Sequence, residues 1–249
     1  MKRANIIFTA IIIPVLLSIM GCNTKVPQES QTVEGQDDYT IKVYIPEPVN
    51  ADKYEFANLL GHNIGIVRVD DMENEELQKK INIILRNEAL SWIVDKMLPT
   101  DNNIKLPSIL FHSDRYLSVV NEYHYYYPRS YCIYDYITVD LTTGERVFLD
   151  DLVDVSDEFI NYLRTDEKYE KEFTWTDFET TKEQLEQCSM TQQEIMANSG
   201  THTSLIYYYR DSFYLKNGKL VIMQEGRLED EGIEIDCNDI EQFLKVEPW

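Results

Sequence analysis

Tyrosine is the most concentrated residue of chemical interest in this sequence. Seven of the 17 tyrosines fall within fourteen residues, and they are Tyr123, Tyr125, Tyr126, Tyr127, Tyr131, Tyr134 and Tyr136. Alternate positions of a strand share a face. Exposed tyrosines form recognition surfaces, because each ring offers a rigid apolar area with a polar hydroxyl. The candidate binding surface therefore consists of two sets that each share a face: Tyr123, Tyr125 and Tyr127, and Tyr134 and Tyr136. The alternative is that these rings cover the sheet beneath packed helices.

Residues that commonly perform catalysis form no recognised pattern here. The four histidines are scattered and form neither HxxxH nor HExxH, the spacings typical of zinc ligands. The sequence contains no G-x-S-x-G nucleophile elbow and no phosphate-binding P-loop. Because there are 44 acidic residues, pairs of carboxylates are too frequent to indicate a glycosidase. We therefore predict no catalytic residue, no metal site and no cofactor.

The charge of the chain restricts its partners. A formal net charge of -21 at pH 7 repels nucleic acid and attracts cationic molecules, an effect that salt weakens. We therefore predict no nucleic-acid binding and consider a cationic protein a candidate partner. The alternative is that the charge serves solubility alone.

Cys22 follows a segment that is typical of an export signal. Lys2 and Arg3 precede an apolar stretch over 6–20, which is shorter than the roughly 20 apolar residues of a transmembrane helix. Residues 19–22, Ile-Met-Gly-Cys, resemble the bacterial lipobox, in which the cysteine is acylated. We predict that residues 1–21 are a lipoprotein signal peptide. Acyl chains such as palmitate on Cys22 would then anchor the protein to the outer, extracytoplasmic face of the cell membrane.

The segment after the lipobox is polar and acidic, so we interpret residues 22–38 as a flexible tether. Three further cysteines, Cys132, Cys188 and Cys237, can form at most one internal disulfide, which an extracytoplasmic location permits. Cys188 with Cys237 is the favoured pair.

Residues 39–104 are predicted to form a strand–helix subdomain. Apolar alternation indicates strands over 40–45 and 64–69. Residues 70–74 supply short polar and acidic side chains suited to the start of a helix that continues to about Met97. Apolar residues recur along it at helical spacing and would form its buried stripe: Leu77, Ile81, Ile84, Leu85, Trp92 and Ile93.

Residues 105–249 are predicted to form a second, β-rich domain. Strands are indicated over 107–111, 116–126, 131–140, 145–149, 205–209, 212–215, 220–224 and 233–235. Helices are indicated over 156–170, over 181–197 with Thr180 or Thr181 at its start, and over 239–244. Asn217-Gly218 is a strong hairpin signal. Grouped strands and helices predict an α+β fold, with a mostly antiparallel sheet and helices packed on one face.

Three stretches resemble a known family. Residues 137–152, Ile-Thr-Val-Asp-Leu-Thr-Thr-Gly-Glu-Arg-Val-Phe-Leu-Asp-Asp-Leu, resemble the signature of the RsiV C-terminal family, and residues 212–222 are similar to its hairpin. Residues 65–82 are similar to the PdaC-type N-terminal domain that usually precedes it. The family is a domain of unknown function in extracytoplasmic proteins of Gram-positive bacteria, among them lysozyme-sensing anti-sigma-V proteins and PdaC-type peptidoglycan deacetylases.

The resemblance implies a PdaC N-terminal-like unit over 39–104 and an RsiV C-terminal-like domain over 105–249. It also implies a role at the cell envelope. We expect a non-catalytic binding module, with lysozyme-like proteins or peptidoglycan as candidate ligands. An anti-sigma factor is not expected, because it needs a cytoplasmic domain before the membrane segment and only five residues precede the apolar run. The alternatives are a peptidoglycan-modifying envelope enzyme or its accessory domain, and a purely structural lipoprotein.

Overall fold

A computed structural model describes residues 32–34, 39–44, 65–91, 107–126, 130–173, 176–190, 212–223 and 232–247. The predicted signal peptide, Cys22 and most of the tether lie outside these ranges, as do the predicted strand over 205–209 and the end of the first helix. None of the helices in the described ranges has the length and apolar character that crossing a membrane requires.

The ten strands of the described residues form three sheets in which every neighbouring pair is antiparallel. The first sheet contains β1 (Thr32–Glu34), β2 (Thr40–Tyr44) and β3 (Ile66–Asp70). The central sheet contains β4 (Ser108–His112), β5 (Tyr116–Tyr126), β6 (Ser130–Asp140) and β7 (Glu145–Val147). The third sheet contains β8 (Ser212–Lys216), β9 (Lys219–Met223) and β10 (Ile233–Asp236).

Within the same ranges, five α-helices accompany these sheets: α1 (Glu75–Ser91), α2 (Leu149–Leu152), α3 (Asp157–Thr165), α4 (Glu170–Phe173) and α5 (Phe178–Gln187). A 3₁₀ turn over Glu241–Phe243 follows β10. The α+β class with antiparallel sheets that the sequence predicts is therefore confirmed.

The central sheet separates two hydrophobic cores. On one face, Leu117, Val119, Ile137 and Val139 pack with the first sheet and with the buried side of α1. On the other face, Tyr116 and Val147 belong to a core that contains the residues of α2 to α5 and of the third sheet. The helices are thus divided between the two faces, because α1 covers one and the shorter helices lie beyond the other.

A β-bulge in β4 lets one short strand serve both cores. Ile109 pairs with Val119 and Phe111 pairs with Ser118, so Leu110 is an extra residue between them. A bulge of this kind changes the alternation of side chains along a strand. As a result Ile109 packs against one core while Phe111 is buried in the other.

The start and the buried stripe of α1 follow the sequence prediction. The side-chain oxygen of Asn74 accepts a hydrogen bond from the Leu77 amide at 3.1 Å, which satisfies a donor of the first turn. Ile81 and Leu85 are buried in the core, and Leu77 and Ile84 pack against it. Trp92 and Ile93 lie outside the described residues.

All three helical predictions in the second domain need correction, and the segment predicted over 239–244 forms only the 3₁₀ turn over Glu241–Phe243. The helix predicted over 156–170 ends at Thr165, and a separate short turn forms α4. The helix predicted over 181–197 begins at Phe178, because Asp177 rather than Thr180 or Thr181 is its cap and accepts from the Thr180 amide at 2.8 Å. It ends at Gln187, where the amides of Ser189 and Met190 bond to carbonyls three residues earlier.

The favoured disulfide is absent. Cys188 and Cys237 are both free thiols, each buried in the same hydrophobic core. Burial raises the pKa of Cys237 to about 12, which keeps this thiol protonated and chemically inert at neutral pH.

Candidate functional site

Three tyrosines form a stacked row at the junction of the central and third sheets. The rings of Tyr136 and Tyr214 lie nearly parallel, with an interplanar angle of 11° and centroids 5.2 Å apart. Tyr134 continues the row, with its ring centroid 6.4 Å from that of Tyr136. Tyr136 is buried, while Tyr134 and Tyr214 are half-buried. We call Tyr134, Tyr136 and Tyr214 the tyrosine row.

The row exists because β8 docks on one face of the central sheet. The hydroxyls of Ser118 and Thr138, which pair across β5 and β6, lie 2.8 Å apart and are buried. The amide of Leu215 in β8 donates to the Ser118 hydroxyl at 3.2 Å. Tyr136 precedes Thr138 by two residues and Tyr214 precedes Leu215, so the polar contact places the two rings side by side.

The electrostatics beside the row are set by burial and by ion pairs. Burial raises the pKa of the Tyr214 phenol, with a smaller opposite effect of Lys216. Hydrogen bonds from Lys216 and Lys219 hold the pKa of Glu234 below its ordinary value. At neutral pH the Tyr214 phenol is therefore a hydrogen-bonding group and not a charge.

The structure places the other predicted tyrosines as follows. Tyr123 and Tyr125 are positions of β5 paired with Ile133 and Tyr131, whereas Tyr134 is paired with Glu122. Positions that pair directly share a face, so 123 and 125 fall on the opposite face of the ladder from 134 and 136. At 123–126 and 130–133 only the backbone is described, and Tyr127 lies outside the described residues.

Among the four histidines, only the side chain of His112 lies in the part of the chain that the structure describes. Within it, no group of three or more His, Cys, Asp or Glu side chains is arranged to hold a metal ion. The ring of His112 shares a 2.7 Å hydrogen bond with the hydroxyl of Tyr39. Burial lowers the pKa of His112, although Asp114 acts in the opposite direction. His112 is thus a partly buried, neutral group in a two-residue contact.

Sequence reasoning missed one member of the row. Tyr214 lies in a strand that the sequence predicts, but its ring packs on a tyrosine 78 positions earlier in the chain. The only local signal is that Tyr214 is polar between the buried Phe213 and Leu215. That alternation indicates the outer face of a strand but does not identify the neighbour.

Comparisons with known proteins found similarity among solved structures. No family model matches the chain, and no curated protein is significantly similar to it. Among solved structures, the chain is similar to the crystal structure of a member of the DUF3298 family from Bacteroides fragilis, with 12% sequence identity and a TM-score of 0.45. The similarity covers 74% of this chain and 84% of that one.

Proposed function

We propose that this protein is a lipid-anchored, non-catalytic binding module on the outer face of the cell membrane. The support for the location is the sequence over 1–22, with its cationic start, its short apolar run and its lipobox-like end at Cys22. The resemblance of residues 65–82, 137–152 and 212–222 to the PdaC-type and RsiV C-terminal domains supports a role at the cell envelope.

The tyrosine row is the observation that carries the binding role. The accessible aromatic area is that of the half-buried Tyr134 and Tyr214, and each of these rings stacks on the buried Tyr136, so it loses little conformational freedom on binding. Tyrosine is among the residues that most often dominate binding energy at interfaces. Tyr134 forms one end of the row and is the position chosen for mutation.

The charge of the chain favours a cationic protein of the lysozyme type as the ligand. A net charge of -21 increases the rate of encounter with a basic partner. Tyrosine rings also attract Lys and Arg side chains through their negative faces. Peptidoglycan is the second candidate, because flat ring faces with hydroxyl edges also suit sugar rings.

Direct binding experiments test the proposal. The full-length protein in neutral detergent is mixed with lysozyme and, separately, with purified peptidoglycan, at low and high salt. We expect lysozyme binding that salt weakens, and we expect Tyr134→Ser to weaken it about tenfold, since an interface anchor contributes more than 1 kcal/mol. Tyr134→Phe keeps the ring and is the matched control.

Four results would redirect the proposal. Binding to peptidoglycan alone selects the second candidate ligand, and equal affinities of wild type and Tyr134→Ser would exclude the row as the site. Release of acetate or of reducing sugar from peptidoglycan would favour the envelope enzyme. Cys22→Ala tests the anchor separately: we expect release to the medium or an unprocessed precursor, and unchanged membrane attachment would contradict lipidation.

A further inference from the structure

A groove between β3 and α1 is lined by basic, amide and apolar side chains, although the chain as a whole is acidic. Its volume is about 460 Å³, within the usual range for sites that hold small ligands. Its walls are Ile66 and Arg68 from β3 and, from α1, Gln78, Lys79, Asn82, Ile83 and Arg86. These lining residues include three cations and no acidic side chain.

Two of these cations have no acidic partner among the described residues. Most lysines in the described ranges are neutralised by a neighbour, as in the pairs Lys80–Glu145 and Lys182–Asp157. Lys79 and Arg86 are exposed and form no ion pair with any acid that the structure describes. The third cation, Arg68, forms an ion pair with Asp70 at 3.1 Å. In a chain of net charge -21, two such cations on one groove are a local excess of positive charge.

The polar side chains of the groove have their acceptor atoms turned toward the protein. The Asn82 amide bonds both to the Val69 N–H at 2.8 Å and to the Val69 carbonyl at 2.7 Å. The side-chain oxygen of Gln78 accepts from the Met72 amide at 2.9 Å. The side-chain groups left facing the groove are therefore hydrogen-bond donors, which match a ligand rich in acceptors.

The remaining wall is apolar. Ile83 is 49% exposed, and it is the one large apolar side chain among the described residues that is classed as exposed. It lies between Lys79 and Arg86 on the same side of α1, because residues three or four apart in a helix are neighbours. Ile66 forms the opposite apolar wall from β3.

We infer that this groove binds a short acidic peptide segment that carries apolar side chains. Carboxylates would pair with Lys79, Arg86 and Arg68, the arginines offering two-pronged hydrogen bonds. An apolar side chain of the segment would cover the exposed Ile83, whose burial favours binding, and would pack against the wall that the buried Ile66 forms. A phosphate polymer matches the charge but leaves Ile83 uncovered, and a flat membrane surface does not fill a groove. This site is separate from the tyrosine row and has the opposite charge preference.

Fluorescence anisotropy of a labelled peptide tests the inference. The probe is a synthetic peptide with three glutamates alternating with leucines, added to the full-length protein in neutral detergent at low salt. We expect Lys79→Glu/Arg86→Glu to weaken binding at least tenfold, because each change replaces attraction by repulsion. Lys171→Glu, which reverses the charge of one exposed lysine of α4 outside the groove, is the control and is expected to bind as wild type does.

Two further arms separate the acidic peptide from other anions. Ile83→Ser is expected to weaken peptide binding severalfold without affecting binding of inorganic polyphosphate or of anionic phospholipid vesicles. A peptide with glutamine in place of glutamate is expected not to bind. The inference is overturned if the acidic peptide does not bind, if the double charge reversal binds it as tightly as wild type, or if polyphosphate or vesicles bind and the peptide does not.

Discussion

Asp140 shows how one side chain can hold a turn. One carboxylate oxygen accepts from the Thr142 amide at 2.7 Å, from the Thr142 hydroxyl at 2.6 Å and from the Thr143 amide at 3.0 Å. The other accepts from Arg115 at 3.1 Å. Burial acts to raise the pKa of Asp140, but these hydrogen bonds outweigh it and hold the pKa below its ordinary value.

Asp140→Asn is expected to destabilise the protein at pH 7 by about 1–2 kcal/mol, because the charged hydrogen bonds are lost. A carboxyl with a depressed folded pKa stabilises the fold above its unfolded pKa of about 3.9, and this contribution disappears as pH falls through the folded value. Urea unfolding at a series of pH values should therefore show the two proteins converging in acid.

Asp114→Asn, a change at an exposed carboxylate in the nearby β4–β5 turn, serves as the control and should alter stability little. A gap between Asp140→Asn and wild type that stays constant down to acid pH would contradict the assigned role of the carboxylate.

At the scale of elements, a side-chain amide joins α1 to β3. The Val69 N–H donates to Asn82 Oδ1 and Asn82 Nδ2 donates to the Val69 carbonyl, on the side of β3 where no further strand pairs among the described residues, and Val69 is fully buried. An unpaired buried N–H or carbonyl costs roughly 1–3 kcal/mol. These two hydrogen bonds therefore fix the position of α1 relative to β3, and with it the shape of the groove between them.

Asn82→Ala is expected to reduce the free energy of unfolding by about 2–3 kcal/mol, because both backbone groups of Val69 lose a partner. Asn87→Ala, an exposed change on the same helix, provides the control. Hydrogen exchange at the Val69 amide measures the local effect, and unchanged protection of that amide would contradict this account.

The turn held by Asp140 also touches α1. Gly144 has φ of +66°, and a Cβ there would lie 2.9 Å from Leu77 Cδ1. Gly218, in the β8–β9 turn, has φ of +83° and open space around it. The two glycines thus share the left-handed backbone that glycine tolerates best and differ in packing.

Gly218→Ala is expected to cost about 1 kcal/mol of stability through backbone strain alone. Gly144→Ala should cost more, because Leu77 must also move. Urea unfolding of the two variants compares them directly. Equal costs would mean that the turn and α1 do not pack closely in solution.

At the scale of the whole molecule, the central sheet couples the two cores. The two faces of this sheet contribute side chains to different cores, so neither core is complete without the central sheet. We therefore expect one cooperative unfolding transition, although the sequence motifs predict two domains, over 39–104 and 105–249.

Leu85→Ala in one core and Leu163→Ala in the other test this coupling. Each leucine is buried, so each change should cost about 2–5 kcal/mol. Urea unfolding followed by circular dichroism and by NMR signals from both cores should show the same lowered midpoint for all probes. Two separate transitions in either variant would contradict a shared sheet.

The sequence by itself determined the features whose causes are local. β5 has the predicted bounds, the Asn74 cap and the Ile81–Leu85 stripe form α1, and Asn217 and Gly218 both adopt positive φ in the predicted hairpin turn. Each depends on residues a few positions apart, and therefore on periodicity and backbone preference that a single sequence contains.

Only the tertiary structure decided which residues meet. α5 is shorter than the sequence predicts because the chain after it packs against α2, where the Asp150 amide donates to the Ser189 hydroxyl. The contact of Tyr136 with Tyr214 depends on the hydrogen bond that joins β8 to Ser118. The groove depends on the hydrogen bonds between Asn82 and Val69 of β3. Such contacts join residues far apart in the chain, and their register follows from packing across whole sheets, which local preferences do not encode.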